Sequence, residues 1–356
     1  MFRQIAAVAI LVMAGGACGG EAAERGPWRV FVLSGQSNMQ GKGAIAHLEQ
    51  LLADENTAGP YRHLRAGEKW TERQDVLIRY VDGEKIDKKG PLTVGYAAPE
   101  NRFGPELQFG HVVGDHLRQQ VLLIKVCWGG RSLRYDFRPP SSDPGDFDPE
   151  WLATMAQRKG YDGDPADLVG HSYRELVRLV HETLRDLKTH FPEYDGSGYE
   201  ISGFVWFQGW NDMLDASHHA TYGQNLANLL RDLRRDLGVP DLPMIVGELG
   251  QSGPEDQIPE RYRAKHMSFR AQQESVSKMP EFRDTVRYVK TSPFIVTDGP
   301  QFDGGYHYRG RADTFFNIGN AFGEAMLELL RKTPADQSKQ IQAAYAQAKE
   351  RYGFGG

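Results

Sequence analysis

Short apolar runs alternate with longer amphipathic stretches along this chain. Runs rich in β-branched residues fall at Arg29 to Ser34, Val121 to Val126, Gly203 to Phe207, Pro243 to Gly247 and Val286 to Lys290. Each is bounded by Gly, Pro or charged residues and reads as a strand. Between them, apolar residues recur at helical spacing from Pro105 to Leu117, His171 to Leu187, Tyr222 to Leu237 and Ile318 to Leu330. The first of these opens with Pro and Glu, as helices do. Strands apolar on both faces that alternate with helices predict one α/β domain, residues 28–331. Its parallel sheet is covered on both faces, a three-layer α/β/α sandwich with right-handed crossovers.

Two segments break the rhythm. Residues 45–102 are polar and turn-rich, with "VLIRYVDG" as a candidate hairpin arm, and residues 137–167 are rich in Pro, Asp and Gly. Both read as long insertions after strands, where function or mobility concentrates. Residues 332–356 read as an exposed helix and a frayed end, with no chemistry assigned. Residues 1–23 carry Arg3, an apolar run from Ile5 to Met13 and then small residues, the layout of an export signal too short to anchor in a bilayer. Cys18 after "AGGA" resembles a lipoprotein attachment site, so the protein is expected at the periplasm, outside the cell or lipid-anchored at the envelope. Any membrane contact then runs through Cys18 alone.

Charge narrows the partners. A net charge of -5, without a basic run, argues against nucleic acid and for a small or neutral ligand. With only Cys18 and Cys127, no disulfide is expected in the mature chain, and Cys127 reads as a buried small hydrophobe. His171, His190, His218 and His219 lack the spacing of a metal site, and no cofactor is implied.

In open parallel sheets, ligands bind beyond the carboxyl ends of the strands. There the sequence places Gln36, Ser37 and Asn38, then Gly129, Gly130 and Arg131, then Gln208, Gly209, Trp210, Asn211 and Asp212. Asp303 and His307 precede the last helix of the domain. The stretch "GQSNMQGKG" is not a phosphate loop: five residues separate Gly35 from Gly41, and Gly43 stands where a magnesium-binding hydroxyl belongs. Nor is it a G-x-S-x-G elbow, since Met39 replaces the second Gly. A serine, two Gly-bearing turns, an amide and a histidine at one edge are what acyl transfer requires. Singly, each residue has a plainer use: Ser37, Asn211 and Asp212 could cap helices, and His307 could lie on the surface.

Taken in order, "GQSNM", "GGRSL", Gly209 to Asp212 and a late His preceded by an acid resemble the blocks of SGNH hydrolases. The sequence is most similar to the sialate O-acetylesterase-like and acetylxylan-esterase-like branch, carbohydrate-esterase family six. That resemblance implies a flavodoxin-like sheet and a serine esterase that removes O-acetyl groups from carbohydrate. It also implies Ser37 as nucleophile and His307 as general base. The N–H of Ser37, the N–H of Gly130 and the amide of Asn211 are implied as oxyanion donors. Asp303 is implied as the partner of His307, although it lies four residues before the His where the family has three. Asp298 and a two-residue Ser-His arrangement stay open, as does Gln208 in place of Asn211. The chemistry agrees: a hydroxyl needs a neutral imidazole to take its proton, so activity is expected to fall at low pH. Competing readings are a lipid or thioester hydrolase on the same scaffold, or a silent carbohydrate-binding protein.

Overall fold

Seven strands form the central sheet of the computed structural model, which describes residues 26–142, 145, 147–330 and 335–354. They are β1 (Trp28–Gly35), β2 (Arg73–Val81), β3 (Asp87–Leu92), β4 (Val121–Cys127), β5 (Tyr199–Phe207), β6 (Met244–Gly247) and β7 (Val286–Val289). The order across the sheet is β7-β6-β5-β1-β4-β2-β3, and every pairing is parallel except β2 with β3. All five expected strands are present. The export signal and Cys18 lie outside the described residues.

Alternation along β1 builds both cores. Val30 and Val32 point to one side, Phe31 and Leu33 to the other, and all four are fully buried. The first side packs against helices α3 (His171–Arg185), α4 (Ala216–Asp236) and α5 (Glu260–Ser277) through Leu176, Val180, Leu226, Leu230 and Phe269. The second packs against α2 (Glu106–His116) and α6 (Ala312–Leu329) through Phe109, Val113, Ile318 and Phe322. The three-layer α/β/α expectation holds. Cys127 is buried and free, and burial pushes its thiol up to about 12.

Three expectations need correction. The 45–102 segment is not a loop insertion, because it contributes β2 and β3 to the main sheet; within it the expected hairpin arm "VLIRYVDG" is present as β2. Arg79 interrupts the apolar run of β2 in sequence, yet its guanidinium is buried and donates to Asp87 at 2.8 Å across the hairpin and to Thr183 at 2.8 Å. The 137–167 segment holds a helix, Pro149–Lys159, capped by Asp148, which accepts from the Glu150 N–H at 2.7 Å. Third, the tail helix α7 (Ser338–Tyr352) is exposed on one face only. Ile341 and Ala348 on its other face, and Phe354 beyond its end, are buried in the first core.

Candidate active site

Strand β1 ends in Gly35, whose φ of +149° lies where only glycine is comfortable. A Cβ there would lie 2.1 Å from the Phe207 carbonyl oxygen, so β1 and β5 close up at their carboxyl ends only because this side chain is absent. The chain then turns into a short helix, α1 (Ser37–Gln40), with Gln36 rather than Ser37 at the N-cap. The helix-cap reading of Ser37 is thereby removed. The hydroxyl sits at the head of a helix, beside first-turn N–H groups that have no intrahelical acceptor. Among the described residues no side-chain hydrogen bond holds it, and none joins it to His307. Ser37 is 8% exposed.

The loop after β5 is fastened to this turn. Gln36 Oε1 accepts from the N–H groups of Gly209 and Trp210, each at 3.0 Å, and Gln36 Nε2 donates to Asn211 Oδ1 at 3.3 Å. The Asn211 amide therefore keeps its donor side turned away from Gln36, where it donates to the Gly130 carbonyl at 2.9 Å. Gly130, with φ of +67°, is exposed, and a Cβ there would meet nothing within 4 Å. Glycine is needed there for the turn and leaves the backbone N–H uncovered.

Asp212 locks the loops after β4 and β5 together. Wholly buried, it accepts from the N–H groups of Leu133 at 2.8 Å and Arg134 at 2.9 Å and from Gln208 Nε2 at 2.6 Å. Burial pushes its carboxyl pKa up, against the pull of these donors. Gln208 also donates to the Arg131 carbonyl at 3.0 Å and is 2% exposed. Its amide is committed to the scaffold, and Asn211 is the amide at the open edge. Sequence reasoning missed Asp212 and Gln36 as the ties that fix these loops, because it weighed each only as a cap or a neighbour of Ser37.

His307 comes from a loop folded over the same edge. Its Nδ1 lies 2.6 Å from Asp303 Oδ2, whereas Asp298 engages Arg311 through its backbone carbonyl. Arg102 bridges the two regions, donating from Nη1 to the Lys42 carbonyl at 3.1 Å and from Nη2 to the Phe302 carbonyl at 2.7 Å. On the far side, Asn38 donates to Gln251 at 2.9 Å while the Gly250 N–H donates to the Tyr308 hydroxyl at 3.0 Å. The segments around Ser37 and His307 are thus tied from both flanks.

Below α1 lies a fully buried ion pair. Lys125 Nζ donates to Glu106 at 2.8 Å, to the Gln40 carbonyl at 3.0 Å and to the Tyr96 carbonyl at 2.6 Å. A buried cation with three acceptors is well compensated, and here it anchors the last residue of the Ser37 helix.

An α/β sheet with a serine, an Asp-bound histidine and a Gly-Asn pair at its carboxyl edge has the layout of a carboxylic ester hydrolase. Residues 27–328 match the family model described as carbohydrate esterase, sialic acid-specific acetylesterase, and the chain belongs to that family. It is a carbohydrate esterase of the SGNH, sialate O-acetylesterase-like branch. A probable carbohydrate esterase of Arabidopsis thaliana is 25% identical over 236 residues, 64% of this chain and 71% of that protein. An Arabidopsis thaliana crystal structure superposes with a TM-score of 0.51 at 18% identity, over 86% of this chain and all of the other. A carbohydrate acetylesterase from Xanthomonas citri gives a TM-score of 0.51 at 11% identity, over 85% of this chain and 56% of that one.

Proposed function

We propose that this esterase removes O-acetyl groups from carbohydrate through an acyl-enzyme on Ser37. His307 takes the hydroxyl proton as Ser37 Oγ attacks the ester carbonyl carbon. The negative charge that develops on the carbonyl oxygen is met by the N–H groups of Ser37 and Gly130 and by the Asn211 amide. Collapse of this intermediate expels the sugar hydroxyl, which recovers the proton from His307, and leaves acetyl-Ser37. Water, deprotonated by His307, then releases acetate. Asp303 holds Nδ1 of His307 so that the other nitrogen faces the serine.

The observation that carries this reading is the 2.6 Å contact from His307 Nδ1 to Asp303, on the sheet edge where Ser37 heads its helix. It supplies the oriented imidazole that a serine nucleophile needs. Replacing Ser37 by Ala should lower acetate release from p-nitrophenyl acetate by at least about 10³-fold, with an unchanged melting temperature. Retention of most of the activity would assign the nucleophile elsewhere.

A further inference from the structure

Beside the proposed oxyanion turn is a cavity of about 320 Å³, lined by Glu84, Arg131, Lys159, Tyr161, Leu168 and His171. It is close to the lower bound of ligand pockets, the size for one sugar ring or two rather than a large cofactor. Arg131, the residue after Gly130, is its link to the proposed site: Arg131 lines the cavity, whereas Gly130, Ser37, Asn211 and His307 do not. Its outer wall comes from the Pro149–Lys159 helix and the turn after it.

The charges inside are already balanced. Arg131 lies 3.2 Å from Asp136 and 3.5 Å from Glu84, and Lys159 lies 2.8 Å from Asp136. A sugar carboxylate entering here would have to compete with those acids for the same two cations. Neutral sugar hydroxyls have no such conflict, since each can accept from Arg131 or Lys159 and donate to Glu84. Tyr161, 36% exposed, adds a ring face for the apolar side of a pyranose.

A second observation concerns the whole surface. The large hydrophobic side chains that stand exposed among the described residues are Tyr161, Leu214, Tyr262 and Tyr306. Tyr161 lines the cavity, and the other three lie in segments that follow strands or adjoin His307 at the carboxyl edge of the sheet. Leu214 ends the short helix after β5, Tyr262 is in the first turn of α5, which follows β6, and Tyr306 adjoins His307. Exposed apolar groups gathered on one edge mark a binding face.

We propose that the cavity is a sugar subsite, and that the substrate is a neutral O-acetylated oligosaccharide or polysaccharide. The residue next to the acetylated one occupies the cavity while the ester lies over Ser37. This rests on the deacetylase reading above for the place of the ester, but not for the binding of sugar itself.

Two measurements with Tyr161→Ala test it, an exposed side chain whose loss leaves the core intact. With an O-acetylated xylo-oligosaccharide, KM should rise about tenfold, with kcat within about twofold and p-nitrophenyl acetate turnover unchanged. The parent enzyme should also prefer this substrate to 9-O-acetylated N-acetylneuraminate. By calorimetry, deacetylated xylohexaose should bind the Ser37→Ala protein, and adding Tyr161→Ala should weaken that binding about tenfold. Unchanged KM and unchanged calorimetric affinity in Tyr161→Ala, or a preference for the anionic sugar, would overturn the proposal. If Ser37→Ala still hydrolysed ester, the nucleophile assignment would fail, yet the calorimetry needs no turnover and would still decide the subsite.

Discussion

His307, Tyr308 and Arg309 hold φ angles of 46°, 53° and 60°, three consecutive side chains in the left-handed region. Each costs on the order of 1–2 kcal/mol relative to ordinary backbone, so something must hold the turn. Tyr308 does so: its ring is fully buried, and its hydroxyl lies 2.6 Å from Thr291 Oγ1 and accepts from Gly250. The turn also explains the spacing that made Asp303 look one residue too far from His307. Gly304 and Gly305, both with positive φ, fold the four-residue separation back until carboxylate and imidazole meet. Asp303→Asn is therefore expected to slow p-nitrophenyl acetate hydrolysis by about 10²–10⁴-fold, and Asp298→Asn to leave it within about twofold. The opposite ranking in steady-state kinetics would move the orienting role to Asp298.

At the scale of elements, the proposed catalytic edge is three turns joined by side chains. Asp212→Asn replaces one acceptor oxygen with an NH2 that faces a donor, leaving a buried donor unmet at about 1–3 kcal/mol. Thermal unfolding should show that loss, and kcat should fall more than KM changes, because the loops that carry Gly130 and Asn211 lose a common tie. A variant with full stability and full kcat would contradict this role. Much of the architecture was legible: the β-branched runs located five strands, and the residues after three of them supplied the candidate site. What was hidden follows from polar groups used as core. The run "VLIRYVDG" marked one arm of the β2–β3 hairpin, but β3 itself is polar, and its exposed Asp87 pairing with the buried Arg79 left no apolar pattern to read. Helix α5 escaped periodicity because its inward face carries His266, Arg270 and Gln273 beside Phe269 and Val276. Those polar side chains serve the strand-end loops: Gln273 accepts from the Leu249 N–H at 2.8 Å, and Arg270 donates to the Leu249 carbonyl at 3.0 Å. The links made by Gln36 and Asp212 span 175 and 79 positions, beyond the reach of any local pattern.

For the whole molecule, buried histidines set an acid limit. His181 lies 2% exposed with Nε2 2.7 Å from the Asp236 carbonyl, and burial lowers its pKa to about 4. His111, 3% exposed, is lowered to about 3 by burial and by the neighbouring Arg73. Both folded values lie below the unfolded value near 6.5, so the unfolded chain binds more protons in between. Stability should hold above about pH 6.5 and fall as the pH drops towards 4, by on the order of 3 kcal/mol from His181 alone. Melting temperatures from pH 7 to 4 should decline accordingly, and less steeply in His181→Gln. Equal slopes for the two proteins would contradict this assignment.

Covalent trapping tests the esterase reading most directly. A serine-directed organophosphonate, followed by peptide mass mapping, should leave one adduct per chain on Ser37, with much slower labelling in His307→Ala. No adduct, or an adduct on another residue at the same rate in both proteins, would contradict the Ser37–His307 mechanism.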